Sequence, residues 1–197
     1  MSRLPLNLEM CDKTVLVAGG GKVALRKVKT LLAAGASLRL TAPKICPELA
    51  ALEAVGRISV RRGQYAAADL ENVFLAVAAT DDEAVNQVVA ADAGARGILV
   101  AVADNPLSGN CTFPALLRRG DLEIAVSTGG RCPVLATAVR DLIADLIGHE
   151  YGAVLERLAA EREKLLTDGN ASTYNTQVLR SLAGRLIAEL TERKDTA

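Results

Sequence analysis

The chain reads as an α/β protein: a parallel sheet flanked by helices, then a smaller strand-and-helix module and a helical tail. Three observations predict this. Through about residue 103, short β-branched runs alternate with longer stretches of helical period, as in β-α units feeding a parallel sheet. The segment Val15 to Lys27, VLVAGGGKVALRK, sets an apolar run against three glycines and then a helix-forming stretch. After Asp104 the texture changes to NPLSGNCTFPALLRRGDLEIAVSTGG, punctuated by Pro106, Gly109 and Pro114.

Taken in order, the pattern predicts strands near 14–18, 37–41, 57–60, 73–77 and 98–102, with helices near 22–34, 46–54 and 82–95. The first helix places Val23, Val28, Leu31 and Leu32 on one face and ends at Gly35, a C-terminal stop signal. TDDEAVNQVVAADAG takes Thr80 or Asp81 as its N-cap, carries carboxylates in its first turn and closes at Gly94. Two further strands, 111–117 and 121–127, flank the turn RRGD. A helix entered through Pro133 covers 133–147, and amphipathic helices over 153–166 and 176–190 are separated by the polar loop TDGNASTYN.

Composition bounds the function. The chain has 197 residues, 50% of them hydrophobic, enough to bury a substantial core. Lys plus Arg and Asp plus Glu number 23 each, so no basic excess points to nucleic acid. There is no apolar stretch of membrane-spanning length and no signal-peptide core at the start, so a cytoplasmic location is expected, with no membrane partner. Cys11, Cys46, Cys111 and Cys132 are far apart and the chain has one histidine, so no metal site is expected and the thiols read as buried or half-buried.

Gly19-x-Gly21-x-x-Ala24 follows a predicted strand and opens a predicted helix, the context a dinucleotide-binding fingerprint requires. Gly19 permits the tight turn, Gly21 lets the backbone approach a pyrophosphate, and Ala24 lets helix and strand pack closely. The bland alternative is a β-α turn that binds nothing. The second strand, SLRLTAPK, ends without the acidic residue that usually holds the adenosine ribose, so NAD and NADP stay open here; Lys44 is either a 2′-phosphate ligand or a surface lysine.

The residues four beyond Tyr65, Tyr151 and Tyr174 are Asp69, Leu155 and Val178, which excludes the Tyr-x-x-x-Lys chemistry of short-chain dehydrogenases. His149 lies well beyond the nucleotide region and fits poorly as a hydride-transfer acid. Asp104 remains, directly after the strand ILVAVA at the carboxyl edge of the sheet, as a base or merely as a turn former before Asn105-Pro106. In AVSTGGRCPVLA, Ser127, Thr128, Gly129 and Gly130 precede a helix and offer hydroxyls and N–H groups to carboxylates, or simply cap that helix.

Together VLVAGGGKVALRK, AVAATDDEAVNQ, VADNP, FPALLRRGDLEIAVSTGGRCPVLA and the late histidine resemble the precorrin-2 dehydrogenase family, which includes part of the multifunctional siroheme synthases. The likeness runs from Leu4 to about His149 and is most specific in AVSTGGRCPVLA. It implies NAD-dependent oxidation of precorrin-2 to sirohydrochlorin, and in some members insertion of ferrous iron, as substrate, to make siroheme. It implies a Rossmann-like NAD domain over 1–112, a dimerisation module over 113–148 and a helical region over 149–197, assembled as a homodimer. By the same resemblance Gly20, Gly21, Lys22, Val23, Pro43, Lys44, Ala79 and Thr80 line NAD, and Asp104 is the catalytic carboxylate.

The substrate carries eight carboxylates, for which the second module offers Ser127 to Gly130, Arg118, Arg119 and Arg131. His149 is a candidate for chelation or an ordinary helix-end histidine. The family often has Ser-Ser-Gly-Gly where this chain has Ser127-Thr128-Gly129-Gly130, which keeps a hydroxyl but adds a methyl. The methyltransferase part of the trifunctional synthases has no counterpart here, so precorrin-2 is expected from another source. Two rivals stand beside this reading: an NAD-sensing regulator, which would leave VSTGGRCP idle, and a chelatase that does not oxidise.

Overall fold

The computed structural model describes residues 3–167 and 173–195, in two compact units that divide after Phe113. The first unit is a five-stranded, all-parallel sheet in the order β3-β2-β1-β4-β5. Its strands are β1 (Thr14–Ala18), β2 (Ser37–Ala42), β3 (Ser59–Arg62), β4 (Leu75–Ala78) and β5 (Leu99–Val102). Helices α1 (Lys22–Ala33), α2 (Pro47–Ala54) and α3 (Glu83–Ala95) make the crossovers, while β3 reaches β4 through a single 3₁₀ turn, Ala67–Leu70.

The strands read as unbroken apolar runs because both faces are covered. Val15 and Val17 of β1 join Val28 and Leu31 of α1 and Leu49 of α2 in one core, and Leu16 and Ala18 join Val89, Ala90 and Ala93 of α3 in the other. Each fully buried Val or Leu contributes roughly 1.5–3 kcal/mol, so this two-sided burial carries most of the unit's stability. Because only a 3₁₀ turn links β3 to β4, part of the α3 side has no helix over it. A shallow cavity of about 270 Å³ lies there, lined in part by Leu16, Arg39 and Thr41. Its arginines are engaged, Arg61 with the Asp69 carboxylate and Arg39 with the Glu71 carbonyl.

Local rules explain where α1 and α3 end, with three corrections to the sequence reading. Val23 is 42% exposed rather than packed, and the buried face of α1 is Ala24, Leu25, Val28 and Leu31. Val23 belongs to the first turn, at the sheet's carboxyl edge. The N-cap of α3 is Asp82, whose carboxylate accepts from the N–H groups of Ala84 at 2.9 Å and Val85 at 3.3 Å, because Thr80 and Asp81 stand too early. The same helix passes Gly94 and stops at Arg96, with Gly97 taking the left-handed conformation at φ 68°. Gly35 does so after α1, at φ 81°.

The second unit holds a hairpin of β6 (Ala115–Arg119) and β7 (Leu122–Val126), then α4 (Pro133–Leu146), α5 (Glu150–Thr167) and α6 (Thr173–Asp195). β6 starts four residues later than 111: Asn110 and Cys111 hydrogen-bond to the Val100 carbonyl beside β5, and Pro114 has no N–H to donate. Arg119 pairs with Leu122, so Gly120 and Asp121 form a two-residue turn with Gly120 at φ 61°. α5 and α6 are longer than the periodicity implied and take in Thr167 and Thr173 to Asn175 of the predicted loop; its residues 168–172 lie outside the described residues. Among the described residues, no helix is long and apolar enough to cross a membrane.

Two of the four thiols depart from expectation. Cys11, in the turn before β1, and Cys132, at the N-cap of α4, are exposed, while Cys46 and Cys111 are half-buried. Among the described residues no group of three or more His, Cys, Asp or Glu stands together as a metal site.

Candidate functional site

In the first unit, the carboxyl ends of four adjacent strands bring the predicted residues to one edge. Gly19, Gly20 and Gly21 follow β1, Pro43 and Lys44 follow β2, Ala79 and Thr80 follow β4, and Asp104 follows β5. The chain leaves β1 for β2 on one side and returns through β4 on the other, so the crevice opens where open α/β sheets take their ligands.

The three glycines have three different reasons to be glycine. Gly19 has φ 128°, and a Cβ there would lie 2.2 Å from the Ala79 carbonyl oxygen. A Cβ on Gly20 would lie 2.0 Å from the Lys44 carbonyl oxygen. These two clamp the turn between the β2 and β4 loops, helped by Gly19 N–H donating to the Thr41 carbonyl at 2.9 Å and Cys46 N–H donating to the Gly20 carbonyl at 2.8 Å. A Cβ on Gly21 would meet nothing within 4 Å. The open space lies in front of the α1 N-terminus, where the cap residue supplies no side-chain acceptor and the first turn has no acid. The exposed N–H groups and helix dipole there suit an anion such as a pyrophosphate. Ala24, fully buried, lets α1 close onto the sheet.

Lys22, Val23, Pro43 and Lys44 are exposed around this space, and Ala79 is buried beneath Gly19. Asp104 is exposed, and its Oδ2 accepts a hydrogen bond of 3.1 Å from Nδ2 of Asn86. Sequence reasoning missed Asn86. It is fully buried on α3, and its Oδ1 accepts from Thr80 N–H at 3.1 Å and from Thr80 Oγ1 at 2.8 Å. The signal was available: Asn86 stands three, four and seven residues before Val89, Ala90 and Ala93, a lone amide on an apolar helix face.

The second unit arranges its predicted residues locally. Ser127 Oγ accepts from Gly129 N–H at 3.2 Å, and Thr128 Oγ1 accepts from Cys132 N–H at 3.1 Å. The hydroxyls thus brace the turn before α4. Gly129 and Gly130 sit at φ 64° and 82°. The α4 N-terminus has no side-chain cap and no acid in its first turn, and Arg131 beside it is exposed.

Arg118 and Arg119 correct the sequence reading. Arg118 pairs with Glu123 at 2.6 Å, and Arg119 donates to the carbonyls of Ile147 at 2.7 Å and Ala144 at 3.1 Å, closing the end of α4. Arg119 is thus held within the unit, while Arg118 and Glu123 form a surface pair with side chains 41% and 39% exposed. His149 is exposed and lies between the C-cap of α4 and the start of α5, not at the C-terminal end of a helix.

Residues 6–115 match the family described as "Putative NAD(P)-binding", and residues 119–146 match the central part of sirohaem biosynthesis proteins. A siroheme synthase of Chromobacterium violaceum is 48% identical over 152 residues, covering 77% of this chain and 32% of that protein. One of Actinobacillus succinogenes is 35% identical over 196 residues, 100% of this chain and 41% of that protein. The chain therefore spans about a third of the length of the siroheme synthases it matches most strongly. Among solved structures, SirC, a precorrin-2 dehydrogenase, superposes with a TM-score of 0.71 at 28% identity, covering 93% of this chain and 100% of that one. With that first match spanning more than half of the 197 residues, the chain belongs to the family described as "Putative NAD(P)-binding", here followed by a sirohaem biosynthesis segment.

Proposed function

We propose that this protein oxidises precorrin-2 to sirohydrochlorin with NAD as the oxidant. The observation that carries the reading is the open space at Gly21 before an uncapped α1 N-terminus, on the same sheet edge as the Asp104 carboxylate. When bound, NAD supplies the hydride acceptor. The backbone from Gly19 to Ala24 would hold its pyrophosphate, with Pro43, Lys44, Ala79 and Thr80 as the further residues that would contact it. The oxidation takes a hydride and a proton from the macrocycle, and the Asp104 carboxylate accepts the proton.

The second unit serves the substrate's carboxylates through Ser127 to Arg131 and the first turn of α4, with His149 as a further contact. Residues 113–148 form a dimerisation module and 149–197 a helical region in this reading. Val134, Leu135, Leu142 and Leu146 expose apolar surface along α4, which supports a homodimer. The protein acts in the cytoplasm and binds neither nucleic acid nor membrane.

The test is an anaerobic assay with enzymatically generated precorrin-2, purified protein and NAD, following NADH and the macrocycle spectrum together. NADH and sirohydrochlorin appearing in step support the reading, and replacement by NADP measures the cofactor choice. Ferrous iron added afterwards tests for siroheme formation, the name reaction of the longer relatives. Binding of NAD without turnover sinks the proposal and favours a nucleotide sensor or a chelatase.

A further inference from the structure

Asn86 is buried where a leucine or valine would pack among Val89, Ala90 and Ala93, so its amide needs a polar reason to be there. That reason is complete. Oδ1 accepts from the N–H of Thr80 and from its hydroxyl, whose one proton is shared with the Asp82 carbonyl, and Nδ2 donates to the Thr80 carbonyl at 3.2 Å and to Asp104 Oδ2 at 3.1 Å. The four bonds use the amide's full capacity.

The chemistry of the partners also fixes which way the amide faces. A backbone N–H only donates, so the oxygen must meet Thr80; an ionised carboxylate only accepts, so the NH₂ must meet Asp104. Asp104 itself is exposed, one residue beyond the last ladder bond from Ala103 N–H to the Ala78 carbonyl, and has no packing of its own to choose its rotamer.

We infer that Asn86 is the positioning residue of the site: one buried amide ties the β4 loop at Thr80 to the Asp104 carboxylate and sets the angle at which that carboxylate meets a substrate. The inference rests on the reading of Asp104 as the base. It extends that reading to a residue that meets neither cofactor nor substrate.

Asn86→Asp separates positioning from support. It keeps an acceptor for the Thr80 N–H but loses both amide donations, to the Thr80 carbonyl and to Asp104, and faces Asp104 with a second carboxyl. Expected are a lower melting temperature, because a buried donation to the Thr80 carbonyl is lost, but an NAD affinity and a KM for precorrin-2 close to the natural protein's and a kcat lower by about 100-fold, the scale of a misplaced catalytic group. Asn86→Ser, neutral and without the terminal amide that meets both Thr80 and Asp104, removes support and positioning together and gives the loss against which Asn86→Asp is compared. In an Asp104→Asn background, where no base is left to orient, adding Asn86→Asp should cost no further turnover.

Parallel loss of stability, NAD affinity and kcat in both Asn86 variants, or an additive loss in the double variant, would make Asn86 merely structural. Natural turnover by Asn86→Asp alongside an inactive Asp104→Asn overturns the Asn86 assignment alone. Full turnover by Asp104→Asn overturns the base, and the positioning role with it.

Discussion

Two turns in this molecule look alike in sequence, Ala18-Gly19-Gly20-Gly21 and Ser127-Thr128-Gly129-Gly130, each joining a strand to a helix with no side-chain cap. Both need glycine for its φ angle, Gly19 at 128° included, but only the first also needs it for space. In the first, Gly19 and Gly20 are pressed onto the backbones of Ala79 and Lys44, leaving free space only at Gly21. In the second, a Cβ on Gly129 would meet nothing within 4 Å, and the requirement is torsional, with Gly129 and Gly130 at φ 64° and 82°. A glycine held by contact is part of the core; a glycine held by its φ angle is a local bend that a tolerant side chain can replace.

The sharpest way to break this contrast is Gly20→Ala. Its new methyl meets the Lys44 carbonyl at 2.0 Å, so the β2 loop must move, at a cost of about 3 kcal/mol or more. Thermal unfolding should show a large fall in melting temperature together with loss of NAD binding. Gly21→Ala fills only open space and should change stability by less than about 1 kcal/mol. A calorimetric titration should nevertheless find NAD affinity reduced about tenfold or more, a difference of about 1.4 kcal/mol. Equal stability losses at both positions would erase the distinction between clamp and cradle.

Gly129→Ala should cost about 1–2 kcal/mol, the penalty of the left-handed region for a residue with a Cβ. Gly129→Asn should recover most of it, because Asn tolerates that region. Denaturant titration of the two variants checks this. Failure of Asn to recover stability would mean that the second turn, like the first, is limited by space.

The smallest effect concerns Lys27, on the helix that the first turn launches. Burial, aided by the neighbouring charge of Arg26, pushes its ammonium down to about 8, against a weaker opposing influence from Cys111, although it lies 4.1 Å from the Phe113 ring centre. Unfolded Lys27 holds its proton up to the ordinary 10.5, so the unfolded chain binds more protons between pH 8 and 10.5 and this residue's contribution to stability improves as pH rises through that window. Lys27→Met should therefore melt slightly higher than the natural protein at pH 7, with the gap closing toward pH 10.5. Burial pushes the Cys111 thiol up to about 11, which works the other way in alkali; Lys27 partly opposes that shift, so Lys27→Met raises the thiol further and helps to close the gap as pH rises. A gap that widens with pH would reverse the sign assigned to Lys27.

Most of the parallel sheet was legible because its causes are local. β1 and β4 are apolar runs that must be buried on both faces, and α1 announces itself through Gly21 before it and Gly35 after it. The start of β6 was less legible, since Asn110 and Cys111 are drawn alongside β5 by hydrogen bonds to Val100. Asp104 was visible at its strand end, but the hydrogen bond that orients it comes from Asn86, 18 residues earlier in the chain.

By itself, then, the sequence determined the order of elements, the glycine turn and the carboxylate beyond β5, since periodicity, capping chemistry and φ preference act within a few residues. Only the tertiary structure decided that Gly20 is a clamp and Gly21 a cradle, that Arg118 pairs with Glu123 and Arg119 is held at the end of α4, and that Asn86 holds Asp104. Those roles depend on which groups meet across the fold. A buried polar group must find its partner wherever the chain brings one, and spacing along the sequence does not encode that meeting.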